Sequence, residues 1–503
     1  MKQMGHLLNM RNKMRPLERT AQAALLGLFF GLAPQSGLAQ EGEIIRDEQQ
    51  YDNGAIYRGQ FRNGLQHGTG TYTLPNGYEY TGQWVDGQIM GEGRATFPDG
   101  SVYEGAFVAG KPNGQGTITF VDGSTYTGTW ADGLMSGEGR AFYSNEMTYT
   151  GSFVAGLQEG QGRLSNTDGY VYEGGWQSGQ KHGQGSLTFP DGSTYVGEFL
   201  NDMRHGAGRL ETSDGMVFEG AWENDQINGQ GSLTQPNGDI YEGGLVNGAR
   251  QGQAVVRYAN GDLYEGEFLN DRRHGQGRFT GHQGLVYDGQ WVEGRIEGQG
   301  VMTYPDGVVY AGGFENDLAH GTGTITYPDG TKYEGDWVAG AMQGFGIAEY
   351  ADGLRYEGQF LNGRQHGQGV MTSTNGYRYE GGWNAGLREG EGITTYPDGS
   401  SYRGQFVGGA REGMGRLEIA DEFSYEGAWR AGEITGQGVA RYRSGDVYEG
   451  TFENGTHQGQ GRLTYATGQV VDGLWENGQF VGAGVADLPP APETPDVSEP
   501  QSQ

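Results

Sequence analysis

Apolar and polar positions recur along this chain with a period of 23 residues. The series runs Tyr57, Tyr80, Tyr103, Tyr126, Tyr149, Tyr172, Tyr195, Phe218, Tyr241, Tyr264, Tyr287, Tyr310, Tyr333, Tyr356, Tyr379, Tyr402, Tyr425, Tyr448 and Val471, nineteen units without an insertion or deletion. Taking the tyrosine as position 1, positions 3 and 12 are Gly in every unit, position 5 is Phe or Trp in eighteen, and position 14 is Gly except at Ala254. Positions 1, 3 and 5 alternate with polar residues, the period of a half-buried strand. Positions 14, 16 and 18 form a second alternating run, as in Gly116-Thr-Ile118-Thr-Phe120. Position 20–21 is Asp-Gly or Asn-Gly in thirteen of eighteen units, for example Asn76-Gly77 and Asp99-Gly100, which predicts a type I′ hairpin turn there.

Each unit therefore reads as two short strands. Because an isolated hairpin is marginal in water, neighbouring units must pair edge to edge, predicting an all-β, elongated single-layer antiparallel meander of nineteen 23-residue hairpins. At a strand spacing of ~4.8 Å such an array would extend to roughly 180 Å before twist shortens it.

Side-chain volumes along the apolar face are reciprocal. Where position 5 is Phe, position 16 is always large (Tyr72, Ile118, Leu164); where it is Trp, position 16 is small in six of nine units (Ala95, Ala141, Ala348, Thr394, Ala440, Ala486). Such compensation predicts direct contact between positions 5 and 16. All nine Trp occupy position 5 and alternate with Phe, so the full period is 46 residues. One unit departs from this pattern, with Leu245 at position 5, Ala254 in place of Gly, and Val255-Val256; it marks a duplication seam, a bend or a binding spot. If the apolar face binds anything, its candidates are Trp84, Trp130, Trp176, Trp222, Leu245, Trp291, Trp337, Trp383, Trp429 and Trp475.

Composition sharpens this picture. Of 503 residues 99 are Gly and 59 are aromatic (20 Phe, 30 Tyr, 9 Trp), a combination that argues for tight turns and packed rings against both helix and disorder. The absence of Cys excludes disulfides, thiolate metal sites and a cysteine nucleophile. Residues 1–39 carry Lys2, Arg11, Lys13, Arg15 and Arg19, an apolar stretch from Ala21 to Ala33, and small residues at Gly37 and Ala39, the pattern of a signal peptide. Translation from Met10 or Met14 would give a leader of ordinary length. An uncleaved anchor is the alternative, disfavoured because about 20 apolar residues are needed to span a bilayer. The expected destination is the periplasm or the exterior. Five of the 33 Lys and Arg and one of the 63 Asp and Glu lie in this leader, leaving 28 and 62 and a net charge of −34. Nucleic acid is excluded as a partner on that balance. Residues 40–56 are expected to cap the array, which spans 57–486, and the Pro-rich acidic residues 487–503 to be a disordered tail.

The unit Tyr356-Glu-Gly-Gln-Phe-Leu-Asn-Gly-Arg-Gln-His-Gly-Gln-Gly369 resembles the membrane occupation and recognition nexus (MORN) repeat, Tyr-x-Gly-x-Phe/Trp-x-Asn-Gly-x-x-x-Gly-x-Gly. The resemblance, to an exported bacterial type, covers Tyr57 to about Ala486. It implies an extended sheet of hairpins used as a scaffold or docking surface, with lipid binding attributed to some arrays and no catalytic residues carried by the repeat.

The remaining motifs carry no catalytic chemistry. Six His share position 11 (His67, His182, His205, His274, His320, His366), but equivalent residues in adjacent units are about 10 Å apart, too far to share a metal. The same spacing separates the Asp at position 20, against calcium–oxygen distances of about 2.3–2.6 Å. Gly-x-Gly at positions 12 and 14 lacks the third glycine and the helix of a dinucleotide site. The sequence predicts no enzyme, no cofactor and no metal. Its predicted role is to dock protein partners along the sheet in the cell envelope. The alternative is a rod that binds lipid or peptidoglycan through the aromatic face, although the net acidity opposes anionic membranes. An open strand edge also invites oligomers by end-to-end or face association.

Overall fold

The computed structural model describes residues 42–482 and 490–498, so the signal-peptide reading of residues 1–39 lies outside the described residues. The fold is all-β, without a helix among the described residues: 39 strands of a single-layer antiparallel sheet. The chain divides after Ala259 into two compact units. The first contains β1 (Ile44–Gln50) to β19 (Ala249–Arg257), and the second β20 (Leu263–Leu269) to β39 (Gln479–Phe480).

The repeats share one pattern of paired strands. In the first, β2 (Ile56–Arg62) pairs antiparallel with β3 (Leu65–Thr73), which pairs with β4 (Glu79–Val85) of the next repeat. Register places Tyr57 opposite Tyr72 and Tyr72 opposite Tyr80, so position 16 faces position 1 on both sides. The ring of Tyr72 stands 5.9 Å from that of Trp84, position 5 of the following repeat. The contact between positions 5 and 16 thus crosses from one repeat to the next.

The turns differ from expectation. The tight turn with positive φ at both central residues is at positions 7 and 8, as in Asn63 (φ 53) and Gly64 (φ 78), which are the geometry of a two-residue I′ loop. At positions 19–21 of the first repeat only the glycine is left-handed (Gly77, φ 91). There Leu74 N donates to Tyr78 O at 2.8 Å and Gly77 N to Leu74 O at 3.1 Å, a three-residue loop closed by a glycine bulge. Asn and Asp suit this second loop for another reason: Asn76 Oδ1 accepts the Tyr78 N–H at 3.0 Å, bracing the turn.

The glycines at positions 3 and 14 have a steric cause. Gly59 and Gly70 face each other in register beneath the Tyr57 ring, and a Cβ on Gly59 would stand 2.5 Å from the Gly70 Cα. The glycine at position 12 has a conformational one: Gly68 (φ 68) sits where register shifts between Gly59 and Phe61.

Packed on this glycine floor, the rings interlock edge to face. Tyr57 meets Phe61 at 4.9 Å and Trp84 at 5.1 Å, and Tyr80 meets Phe107 at 5.0 Å. Each such pair adds about 0.5–1.5 kcal/mol to the area it buries. The second unit repeats the arrangement, with Tyr402 5.2 Å from both Phe406 and Trp429. The opposite face carries polar ladders, including Arg94–Glu104, Arg163–Glu173 and Arg462–Asp472, exposed pairs that solvent screens. The Leu245 repeat keeps the register: β18 (Ile240–Val246) pairs with β19, setting Gly243 opposite Ala254 and Leu245 opposite Arg250.

The ends are dressed differently. Residues 44–50 form β1, which pairs along β2 from Ile44–Arg62 to Gln50–Ile56. At the other end β39 pairs with β38 (Val470–Glu476) only at Trp475–Phe480 and Glu476–Gln479. In the tail, residues 490–498 have no regular structure, and Val497 is buried.

Candidate functional site

The ten candidate residues at position 5 belong to the packed core. Trp84, Trp130, Trp176, Trp222, Trp291, Trp337, Trp383, Trp429 and Trp475 are 1–7% exposed, and Leu245 is equally buried. Each indole N–H donates to the main-chain carbonyl of the preceding repeat's position 14, as Trp84 does to Gly70 at 3.3 Å and Trp291 to Gly277 at 3.0 Å. An indole whose edge and N–H are both engaged presents no free stacking platform.

What the sequence reading missed is position 10. It pairs opposite position 5 on the same face, as Arg411 does with Phe406. In an acidic chain this column holds six cations: Lys181, Arg204 and Arg250 in the first unit, and Arg273, Arg388 and Arg411 in the second. Every one lies over aromatic rings. Lys181 Nζ is 5.5 Å from the Tyr172 centroid, and the guanidinium carbon is 4.2 Å from Trp222 for Arg204, 5.8 Å from Tyr241 for Arg250, 4.8 Å from Trp291 for Arg273, 4.8 Å from Phe406 for Arg388 and 5.0 Å from Trp429 for Arg411. Guanidinium over a ring face is electrostatically favourable and strengthens as water is withdrawn. Reading the repeat column by column would have shown the row of cations at this position.

The row is also tied to the neighbouring repeats. Arg204 Nε donates to Asp225 Oδ1 at 3.2 Å and its Nη2 to Asp225 O at 3.0 Å, a turn residue of the next repeat; Arg388 Nη2 reaches Gly409 O at 2.6 Å. Position 10 further bonds position 18 of the preceding repeat, with Gln158 Nε2 to Tyr143 Oη at 2.6 Å, Gln365 Nε2 to Tyr350 Oη at 2.7 Å and Arg411 Nη2 to Tyr396 Oη at 2.8 Å. At His457 the same pair is His457 Nε2 with Tyr442 Oη at 2.7 Å. His457 stacks on Tyr448 at 3.7 Å, and burial pushes its pKa down to about 4, so it is neutral near pH 7.

The position-11 histidines are not brought together. His67 Nδ1 faces Asp86 Oδ1 at 3.3 Å and His320 Nδ1 faces Glu315 Oε2 at 3.2 Å. Among the described residues no group of three His, Cys, Asp or Glu is arranged to hold a metal ion, and no helix is long and apolar enough to cross a membrane.

A repeated hairpin sheet whose one face is a sealed aromatic layer edged by cations defines a repeat-built scaffold of the binding kind. Its family follows from the repeat: the MORN repeat model matches eighteen segments from 57–77 to 448–470, and the chain belongs to the MORN repeat family. A search of curated proteins finds no match. Among solved structures, a mutant of the TCP10 domain of Danio rerio CPAP aligns at 14% identity over 52% of this chain and 94% of its own, with a TM-score of 0.14. The SAS-4 (dCPAP) TCP domain of Drosophila melanogaster, in complex with a proline-rich motif of Ana2, aligns at 11% identity over 43% and 86%, TM-score 0.14. A streptogramin B lyase aligns at 13% over 57% and 88%, TM-score 0.11. Superpositions that poor carry no argument.

Proposed function

We propose that this chain is an exported, non-catalytic scaffold that docks proteins along the aromatic, cation-bearing face of its sheet in the cell envelope. The observation that carries the reading is the position-10 row, which concentrates six cations on one face of a chain with a net charge of −30. A protein segment brings backbone carbonyls and carboxylates to which such a row can donate, and the buried indoles leave little apolar surface for lipid or sugar rings. Export rests on the leader pattern of residues 1–39.

The test is cross-linking pull-down from envelope extracts with the full chain and with a variant carrying Arg204→Gln and Arg273→Gln, run beside co-sedimentation with anionic vesicles and with peptidoglycan. The expected result is a protein captured by the parent chain, at least tenfold less by the variant, with no sedimentation at moderate salt. Sedimentation of both chains with vesicles or peptidoglycan, and no captured protein, would overturn it.

A further inference from the structure

The tail supplies what the array alone does not: a segment already seated on the candidate face. Residues 490–498 read Pro-Ala-Pro-Glu-Thr-Pro-Asp-Val-Ser, three prolines and two carboxylates in nine residues. Arg411 Nη1 donates to the Val497 carbonyl at 2.8 Å while its Nη2 holds Tyr396 Oη at 2.8 Å, and Arg411 is 2% exposed. Tyr442 Oη, itself bonded to His457, lies 3.4 Å from Thr494 Oγ1. The Val497 side chain is 7% exposed, although its neighbours Asp496 and Ser498 face solvent.

These contacts have the features of peptide recognition. The backbone is held by a guanidinium anchored on the array, one apolar side chain is buried, and both carboxylates stay in solvent. Thr494 contacts the repeat pair at Tyr442 and His457, whereas Val497 contacts the pair at Tyr396 and Arg411, so the segment runs across the strands toward lower-numbered repeats. Proline suits this course, because a segment crossing strands makes no ladder bonds and loses nothing by lacking N–H groups, while its restricted φ lowers the entropy cost of ordering. At Arg204 and Arg388 the corresponding guanidinium reaches a carbonyl of the next turn; at Arg411 a guanidinium nitrogen takes the tail's carbonyl.

We infer that the aromatic face between Tyr396 and His457 is a groove for an extended, proline-containing acidic protein segment, and that residues 490–498 occupy it in cis until a partner's segment of the same chemistry replaces them. The inference rests on the protein-docking reading above and gives it a ligand class and a location. Tethering makes the tail a resident at high effective concentration, so a partner engages the groove well only when the tail is released.

The test uses the full chain, whose lack of Cys makes S498C a unique labelling site at an exposed position. A fluorophore attached at position 498 through that substitution should be immobile in the parent background and mobile with Arg411→Gln or with Val497→Asp, the latter altering only the tail. Unlabelled V497D protein should then bind a fluorescent peptide of residues 490–498 at least tenfold more tightly than the parent chain, and V497D with R411Q should lose that binding. Circular dichroism of each variant verifies the sheet. Equal label mobility in all three backgrounds overturns the inference, as does a V497D chain that frees the tail yet binds the peptide no better than the parent. Either failure, with envelope capture through Arg204 and Arg273 intact, would leave the docking reading standing; loss of capture with the peptide still bound would remove only the broader reading.

Discussion

The ring of Tyr57 covers the Cα of Gly70, and its hydroxyl donates to the Gln60 carbonyl at 2.9 Å. A Cβ on Gly70 would collide with that ring, so the repeat is held by what is missing from the glycine as much as by what the tyrosine provides. Gly70→Ala should displace the ring or lift the strand, at a cost of about 1–3 kcal/mol. Because a repeat array need not unfold in one step, the measurement is hydrogen exchange of amides in residues 56–85, where protection should fall locally. Unchanged protection there would show that the ring has room.

Alkaline pH should loosen the ring layer. Burial above all pushes Tyr57, Tyr126, Tyr195, Tyr287, Tyr310, Tyr333 and Tyr379 up from 10.0 to about 12. The unfolded chain releases these protons first, so stability is fully present below pH 10 and lost as pH rises toward about 12. Above the acid limb, the urea midpoint followed against pH should be level up to 10 and then decline, with phenolate absorbance appearing alongside the decline.

His457 predicts a separate acid limb. Its pKa is about 4 when folded against 6.5 when free, so its contribution is complete above pH 6.5 and lost as pH falls toward 4. At 1.36 kcal/mol per unit this amounts to about 3 kcal/mol at most. His457→Gln should flatten the fall in local stability of residues 447–464 between those pH values; a slope identical to the parent's would place the protonation elsewhere.

The hairpin array was legible because the period of 23 never slips and strand alternation reports one buried face. Turn identity was not, because the I′ position tolerates disguises. Ala109, Ala155, Ala339, Ala385 and Ala431 adopt φ of 48–50 at position 7, where Asn is the better residue, while the conspicuous Asn-Gly and Asp-Gly pairs serve the bulged loop. Ala339→Asn should therefore stabilise its hairpin by up to about 1 kcal/mol, left-handed backbone being easier for Asn than for Ala. Slower exchange in residues 332–349 is the readout, and faster exchange would argue against the turn assignment.

The cation row escaped for a different reason. A guanidinium over an indole leaves no mark on hydropathy, and only the register that sets Arg411 opposite Phe406 reveals that position 10 shares the aromatic face. The tail escaped because composition reports the inability to form a core of its own, which says nothing about docking on another. Val497, a β-branched apolar residue among acids and prolines, was the available signal.

The central claim is that partners meet the aromatic, cation-bearing face, and its most direct measurement places a photoreactive side chain on each face in turn. Ala319 occupies position 10, opposite Phe314 in register, whereas Glu334 is exposed on the other face. Photolysis in envelope extracts should cross-link a protein partner from position 319 and not from 334. Cross-linking from 334 alone would contradict the account.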